Sequence, residues 1–180
     1  MSLYTRQHTV ESKRIYEGEI VNFRVDRLEN DGREVTREVV EHNGGVVIVC
    51  QPTPAEIVLI KQYRYSVDEV LYEFPAGRIE KGEDPLPAAQ RELTEETGYI
   101  AKNWEELSRF YTAPGFCNEM LYVYLATEVE LAEKNLDEDE ETDVIVMSLN
   151  DAWQLLGSGA VRDAKTVAGI SMLYAQFVNA

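Results

Sequence analysis

Glu92, Glu95 and Glu96 stand within five positions of one another in the stretch RELTEETG, residues 91 to 98. On a helix, residues three and four apart are neighbours, so these carboxylates stack on one side. Like charges at that spacing repel by about 0.2–0.5 kcal/mol per pair. A hard divalent cation among them turns repulsion into attraction. Mg²⁺ takes oxygen ligands in octahedral geometry and retains waters, so it suits carboxylates combined with substrate phosphates.

The element that must carry these acids reads as a helix. Asp84 can cap it, Pro85 and Pro87 lie in the first turn where missing amide donors cost little, and Gly98 ends it. At 100° per residue, Leu86, Ala89, Leu93 and Thr97 form the arc expected to be buried, with the three glutamates on an adjoining arc. Such a placement sets the acids beside the packed face, where a cleft would form.

A longer pattern surrounds them. Gly77, then Glu83, then Arg91-Glu92-Leu93-Thr94-Glu95-Glu96-Thr97-Gly98 resembles the signature of the Nudix hydrolases at each fixed position. Tyr99 departs mildly, standing where an aliphatic residue is usual. The resemblance implies hydrolysis of a nucleoside diphosphate linked to a further moiety, with Mg²⁺ or Mn²⁺ as cofactor. It implies Glu92 and Glu96 as metal ligands, Glu95 as a further or water-mediated ligand, and the carbonyl of Ala76 in the same set. Gly77 and Gly82 would let the preceding loop fold tightly against the helix start. Arg91, amid carboxylates, is expected to orient them and to pair with Glu83.

Segments outside the signature, QYRYSVDEVLYEFPAG, YTAPGFCNEMLYVYLA and LDEDEETDVIVMSLNDA, are similar to the ADP-ribose pyrophosphatase branch of that family, as is the proline sixteen residues beyond Gly98, Pro114. The similarity extends to Asp163–Thr166, DAKT. It implies cleavage of ADP-ribose to AMP and ribose 5-phosphate, with Glu138 or Glu140 as base and Glu140 also a possible ligand. Other nucleotide sugars, NADH or dinucleoside polyphosphates are alternative substrates, and a non-catalytic nucleotide-sensing module is the alternative of a different kind. Arg64 is the leading candidate to chelate a substrate phosphate. Arg37 is a candidate for the adenine or ribose, and Pro114 for the substrate side of its loop. Glu73 either binds ligand or braces Arg64. Tyr63, Tyr65 and Phe116 are expected in the core unless they stack on a base.

The remaining chain supplies the frame. Strands are expected in hairpins, one turning at Asn30-Asp31-Gly32 and another at residues 51 to 55, with further strands at 69–74, 107–111, 120–125 and 144–148. Helices are expected at 150–156 and, capped by Asp163, at 164–178. Strand hairpins with interspersed helices predict an α+β fold: an α/β/α sandwich of the Nudix type around a central mixed sheet, residues 45–180. Residues 1–44 are expected to form a small antiparallel β subdomain that pairs two copies into a homodimer, as in the resembling branch.

The balance of 17 basic and 33 acidic residues, net −16, argues against a nucleic-acid partner and allows a small phosphorylated one. Apolar runs are strand-sized, well short of the roughly 20 residues of a membrane span, so no membrane association is expected. Cys50 and Cys117, far apart in sequence, suit a reducing cytoplasm better than a disulfide framework. His8 and His42 are the only histidines, which makes a His-rich zinc site or a serine-histidine triad a poor fit.

Overall fold

The computed structural model describes residues 3–132 and 142–179. Along the described chain run β1 (Thr9–Glu17), β2 (Asn22–Asn30), β3 (Arg33–Glu41), β4 (Gly45–Cys50), β5 (Glu56–Arg64), β6 (Glu69–Glu73), β7 (Ala76–Arg78), α1 (Pro85–Thr97), β8 (Tyr99–Tyr111), β9 (Met120–Leu131), β10 (Thr142–Ser148), α2 (Leu149–Gly157) and α3 (Ala164–Asn179). They divide into two compact units. The first is Met1–Gly44 with Tyr111–Met120, and so takes in a loop beyond the 1–44 boundary expected from sequence; the second holds Gly45–Phe110 and Leu121–Ala180.

In the first unit, β1, β2 and β3 form an antiparallel meander. Asp31 and Gly32 both take positive φ, and Asn30 pairs with Arg33 across a two-residue turn, as the Asn-Asp-Gly signal predicts. The returning loop is held by Val40 N–H donating to the Phe116 carbonyl at 2.8 Å and by Asn118 N–H donating to the Val40 carbonyl at 3.2 Å. Val10, Ile15 and Tyr16 of β1 are at least half exposed, so this sheet carries apolar side chains in solvent.

The second unit holds the expected mixed sheet covered by helices. Its four-stranded sheet runs β7-β4-β9-β8, with β4 parallel to β9 and antiparallel to β7; a three-stranded sheet runs β10-β5-β6. All six residues of β4 are buried. A strand covered on both faces reads as an unbroken apolar run, and GVVIVC is one. Val46, Ile48 and Cys50 pack with Ala88, Ala89 and Leu93 of α1. Val47 and Val49 join Leu149 and Ala152 of α2 and Ile170 and Leu173 of α3 on the opposite face. Burial pushes the Cys50 thiol up to about 12, which makes it a small apolar filler rather than a nucleophile.

Local details depart from expectation at four places. β8 begins at Tyr99, well ahead of Leu107, because a strand with one solvated face tolerates the charged run KNWEE. The short β7, the three residues after Pro75, adds to the expected strands. Asp84 occupies the cap position of α1 without a side-chain cap bond. Such a cap serves the second or third amide, and Pro87 at the third position has none to give. Leu86 is 36% exposed because it lies in the opening turn; Ala88 is the first residue of α1 to reach the core. Gly98 ends α1 in the left-handed region, φ 73°, with its N–H donating to the Thr94 carbonyl at 2.9 Å.

Candidate metal and diphosphate site

Glu92 and Glu96 of α1 lie within the packed face rather than beside it, while Glu95 stays partly exposed at its edge. Glu96 is 1% exposed and Glu92 8%. Burying carboxylates is costly unless they are paired and hydrogen-bonded, and β7 with Arg91 supplies the partners. Ala76 N–H donates to Glu96 Oε2 at 2.9 Å. The Glu92 carboxylate rests on Gly77: a Cβ there would lie 1.9–2.3 Å from its carboxyl atoms, so only glycine admits it. From β10, Thr142 Oγ1 donates to the Glu96 carbonyl at 3.1 Å.

Arg91 gathers the acids. Its Nη1 donates to Glu92 Oε1 at 2.8 Å and to Glu95 Oε2 at 2.9 Å. Nε and Nη2 donate to the two oxygens of Glu83, each at 3.2 Å, and Nη2 also reaches the Arg78 carbonyl at 3.1 Å. Burial alone would lower the Arg91 pKa, but the charge and hydrogen bonds of these glutamates raise it above the ordinary guanidinium value. The same hydrogen bonding from Arg91 holds Glu83 below the usual carboxylate value.

Among the described residues no three Asp, Glu, His or Cys side chains converge on one point as an ion would require. The donor chemistry nevertheless fits a hard divalent cation. It is oxygen only, anionic and withdrawn from water, and Arg91 is a built-in cation that keeps Glu92 and Glu95 from repelling while no ion is bound.

A second charged group is centred on β5 and β6. Arg64 Nε and Nη2 donate to Glu73 Oε1 and Oε2 at 2.8 and 2.7 Å, a bidentate pair. Glu73 is 1% exposed and also accepts from Lys165 of α3. Burial pushes its pKa up, but the hydrogen bonds and charges of Arg64 and Lys165 outweigh this and hold it below the usual carboxylate value. Glu73 therefore braces Arg64. Lys165 escaped the sequence reading, in which DAKT marked only the end of a resemblance. Gln62, two residues before Arg64 and paired in register with Thr142, also escaped it. It is 8% exposed, and its Oε1 has no hydrogen-bond partner among the described residues.

Other sequence candidates fall elsewhere. Arg37 lies on β3 in the first unit, where its guanidinium is 5.9 Å from the centre of the Tyr4 ring and donates to the Thr36 carbonyl at 2.8 Å. Pro114 is exposed in the Tyr111–Met120 loop of that unit. Glu138 and Glu140 lie outside the described residues. Tyr63, Tyr65 and Phe116, which strand packing would bury, are 51%, 90% and 58% exposed; the Tyr63 hydroxyl donates to Asp68 Oδ1 at 2.7 Å.

A mixed sheet between helices, with a glutamate helix seated on a glycine-bearing strand, places the second unit in the α/β/α sandwich class. A family model for the NUDIX domain matches residues 41–169, and the chain belongs to the NUDIX family. Among curated relatives, it is 39% identical to the ADP-ribose pyrophosphatase of Bacillus subtilis (strain 168), covering 93% of this chain and 92% of that protein. It is 38% identical to the methanol dehydrogenase activator of Bacillus methanolicus, covering 94% of each. Among solved structures, the chain superposes on an ADP compounds hydrolase with a TM-score of 0.83 at 21% identity, covering 95% and 94% of the two chains, a likeness of fold. Enzymes of this family generally use divalent metal ions, and no helix among the described residues is long and apolar enough to cross a membrane.

Proposed function

We propose that this chain is a Mg²⁺-dependent pyrophosphohydrolase that cleaves ADP-ribose to AMP and ribose 5-phosphate, with Mn²⁺ able to substitute. The observation that carries the reading is the seating of Glu92 and Glu96 on β7, against Gly77 and the Ala76 amide. The 39% identity to an ADP-ribose pyrophosphatase over nearly the whole chain supports the substrate.

Glu92, Glu95, Glu96 and the Ala76 carbonyl would hold the metal, which when bound acidifies a water and stabilises charge on phosphoryl oxygens. Arg91 keeps the glutamates facing one another. Arg64, braced by Glu73, holds a phosphate of the diphosphate. Glu138 or Glu140 takes the proton of the attacking water, and Arg37 and Pro114 serve the nucleoside half.

The test is a panel of ADP-ribose, a second nucleotide sugar, NADH and a dinucleoside polyphosphate, each with Mg²⁺ and products separated by chromatography. ADP-ribose should give the highest kcat/KM, yielding AMP and ribose 5-phosphate. A higher kcat/KM for another member of the panel would move the substrate assignment, and no cleavage of any would end it.

We also propose a homodimer formed through the first unit, because β1 leaves Val10, Ile15 and Tyr16 in solvent. Light scattering at micromolar concentration should give twice the chain mass; a monomer would count against it. Both cysteines are free, which suits a cytoplasmic setting.

A further inference from the structure

We propose that Lys165 is a positioning residue: it shares the charge of buried Glu73 and thereby leaves the exposed edge of Arg64 less neutralised and available to hold the substrate diphosphate. The proposal rests on the pyrophosphohydrolase reading above and assigns a task to the start of α3.

The charges in this corner balance in a definite order. Asp163 precedes α3, and its Oδ2 accepts from Thr166 N–H at 3.0 Å and from Thr166 Oγ1 at 2.6 Å, so its charge faces the amide end of a helix, where anions are favoured. Thr166 Oγ1 in turn accepts from the Phe74 amide at 2.8 Å, tying α3 to the residue after Glu73. Lys165 donates to Glu73 Oε2 and lies 3.1 Å from Asp163 Oδ1, with its side chain 12% exposed.

Glu73 is withdrawn from water and needs a cation. If Arg64 were the only one, the pair would be neutral and would attract an incoming anion weakly. With Lys165 on the same carboxylate, Glu73 is matched from behind. Arg64, whose side chain is 37% exposed, spends two of its five N–H donors on Glu73 and keeps three for a phosphate. Lys165 thus acts on substrate only through Glu73 and Arg64.

The experiment compares Lys165→Met, Lys165→Arg, Glu73→Gln and the Lys165→Met/Glu73→Gln double variant in ADP-ribose hydrolysis with Mg²⁺. Lys165→Met should raise KM about tenfold with kcat within about twofold, the scale of one charge-assisted contact. Lys165→Arg should keep the wild-type KM. The double variant, which removes both charges but also the carboxylate that braces Arg64, should bring KM below that of Lys165→Met, a partial rescue that mere loss of packing would not give. An unchanged KM in Lys165→Met, or no rescue in the double variant, overturns the proposal. If Lys165→Met does not fold, Lys165→Gln takes its place, keeping a hydrogen-bond donor toward Glu73 without the charge: its KM should also rise about tenfold, and an unchanged KM overturns the proposal. Calorimetric titration with ADP reads the same ordering as Kd, so an inactive wild type would sink the pyrophosphohydrolase reading while this ordering is still decided.

Discussion

Replacing Glu96 by Gln should cut kcat for ADP-ribose by about 10³-fold while leaving the fold intact. The carboxylate is 1% exposed and accepts from the Ala76 amide at 2.9 Å. An amide side chain of equal size keeps an oxygen acceptor for that bond, so β7 stays where it is. What it loses is the negative charge that would bind a cation. Metal assistance contributes several kcal/mol of transition-state stabilisation, and each 1.36 kcal/mol is a decade in rate. AMP release by chromatography reads the activity, and calorimetric unfolding reads the fold. An active Glu96→Gln enzyme would sink the metal site; an inactive one that melts far below wild type would assign Glu96 a structural role instead.

Gly77→Ala should be the most damaging single methyl group in this site. The added Cβ would stand 1.9 Å from Glu92 Cδ and 2.0 Å from Oε1, closer than any real contact. Either the carboxylate leaves its position, losing the 2.8 Å bond from Arg91, or β7 shifts away from β4. Overpacking of this kind costs about 1–3 kcal/mol. A displaced carboxylate should weaken divalent-ion affinity by about 10–100-fold, the range found when ligand-orienting groups are lost. Titration of activity against Mg²⁺, with urea unfolding alongside, measures both. Wild-type Mg²⁺ dependence in the alanine variant would show that Glu92 does not need this seat.

Much of the molecule was legible because its signals are local. The limits of α1 follow from prolines at one end and Gly98 at the other, and the β2–β3 hairpin follows from Asn30-Asp31-Gly32. The unbroken apolar run of β4 declares a strand covered on both sides. The glutamate spacing pointed to the site, yet a helical wheel set the acids beside the buried face, whereas Glu92 and Glu96 lie inside it. A wheel counts carboxylates as solvent-facing and knows nothing of a glycine strand waiting to receive them. Charge also concealed the early half of β8, where KNWEE reads as loop by composition although its backbone is in a sheet. Least legible was the pairing of Glu73 with Lys165, which stand 92 positions apart. No periodicity reports such a contact, and only the packing of α3 against the end of β6 creates it.

The parallel pairing of β4 with β9 sets an order of events during synthesis. Gly45 is matched with Leu121 and Cys50 with Ala126, so the sheet beneath α1 closes only after a long intervening stretch has been translated. The helix bearing the signature glutamates leaves the ribosome after β4 and β7 but before β9, the strand that completes their sheet, and the Lys165 brace arrives later still. Contacts of such sequence separation slow folding and leave apolar surface open meanwhile. A nascent chain halted after Gly98 would carry every signature residue together with β4 and β7, and would still lack β9, the parallel neighbour that holds β4 in its sheet.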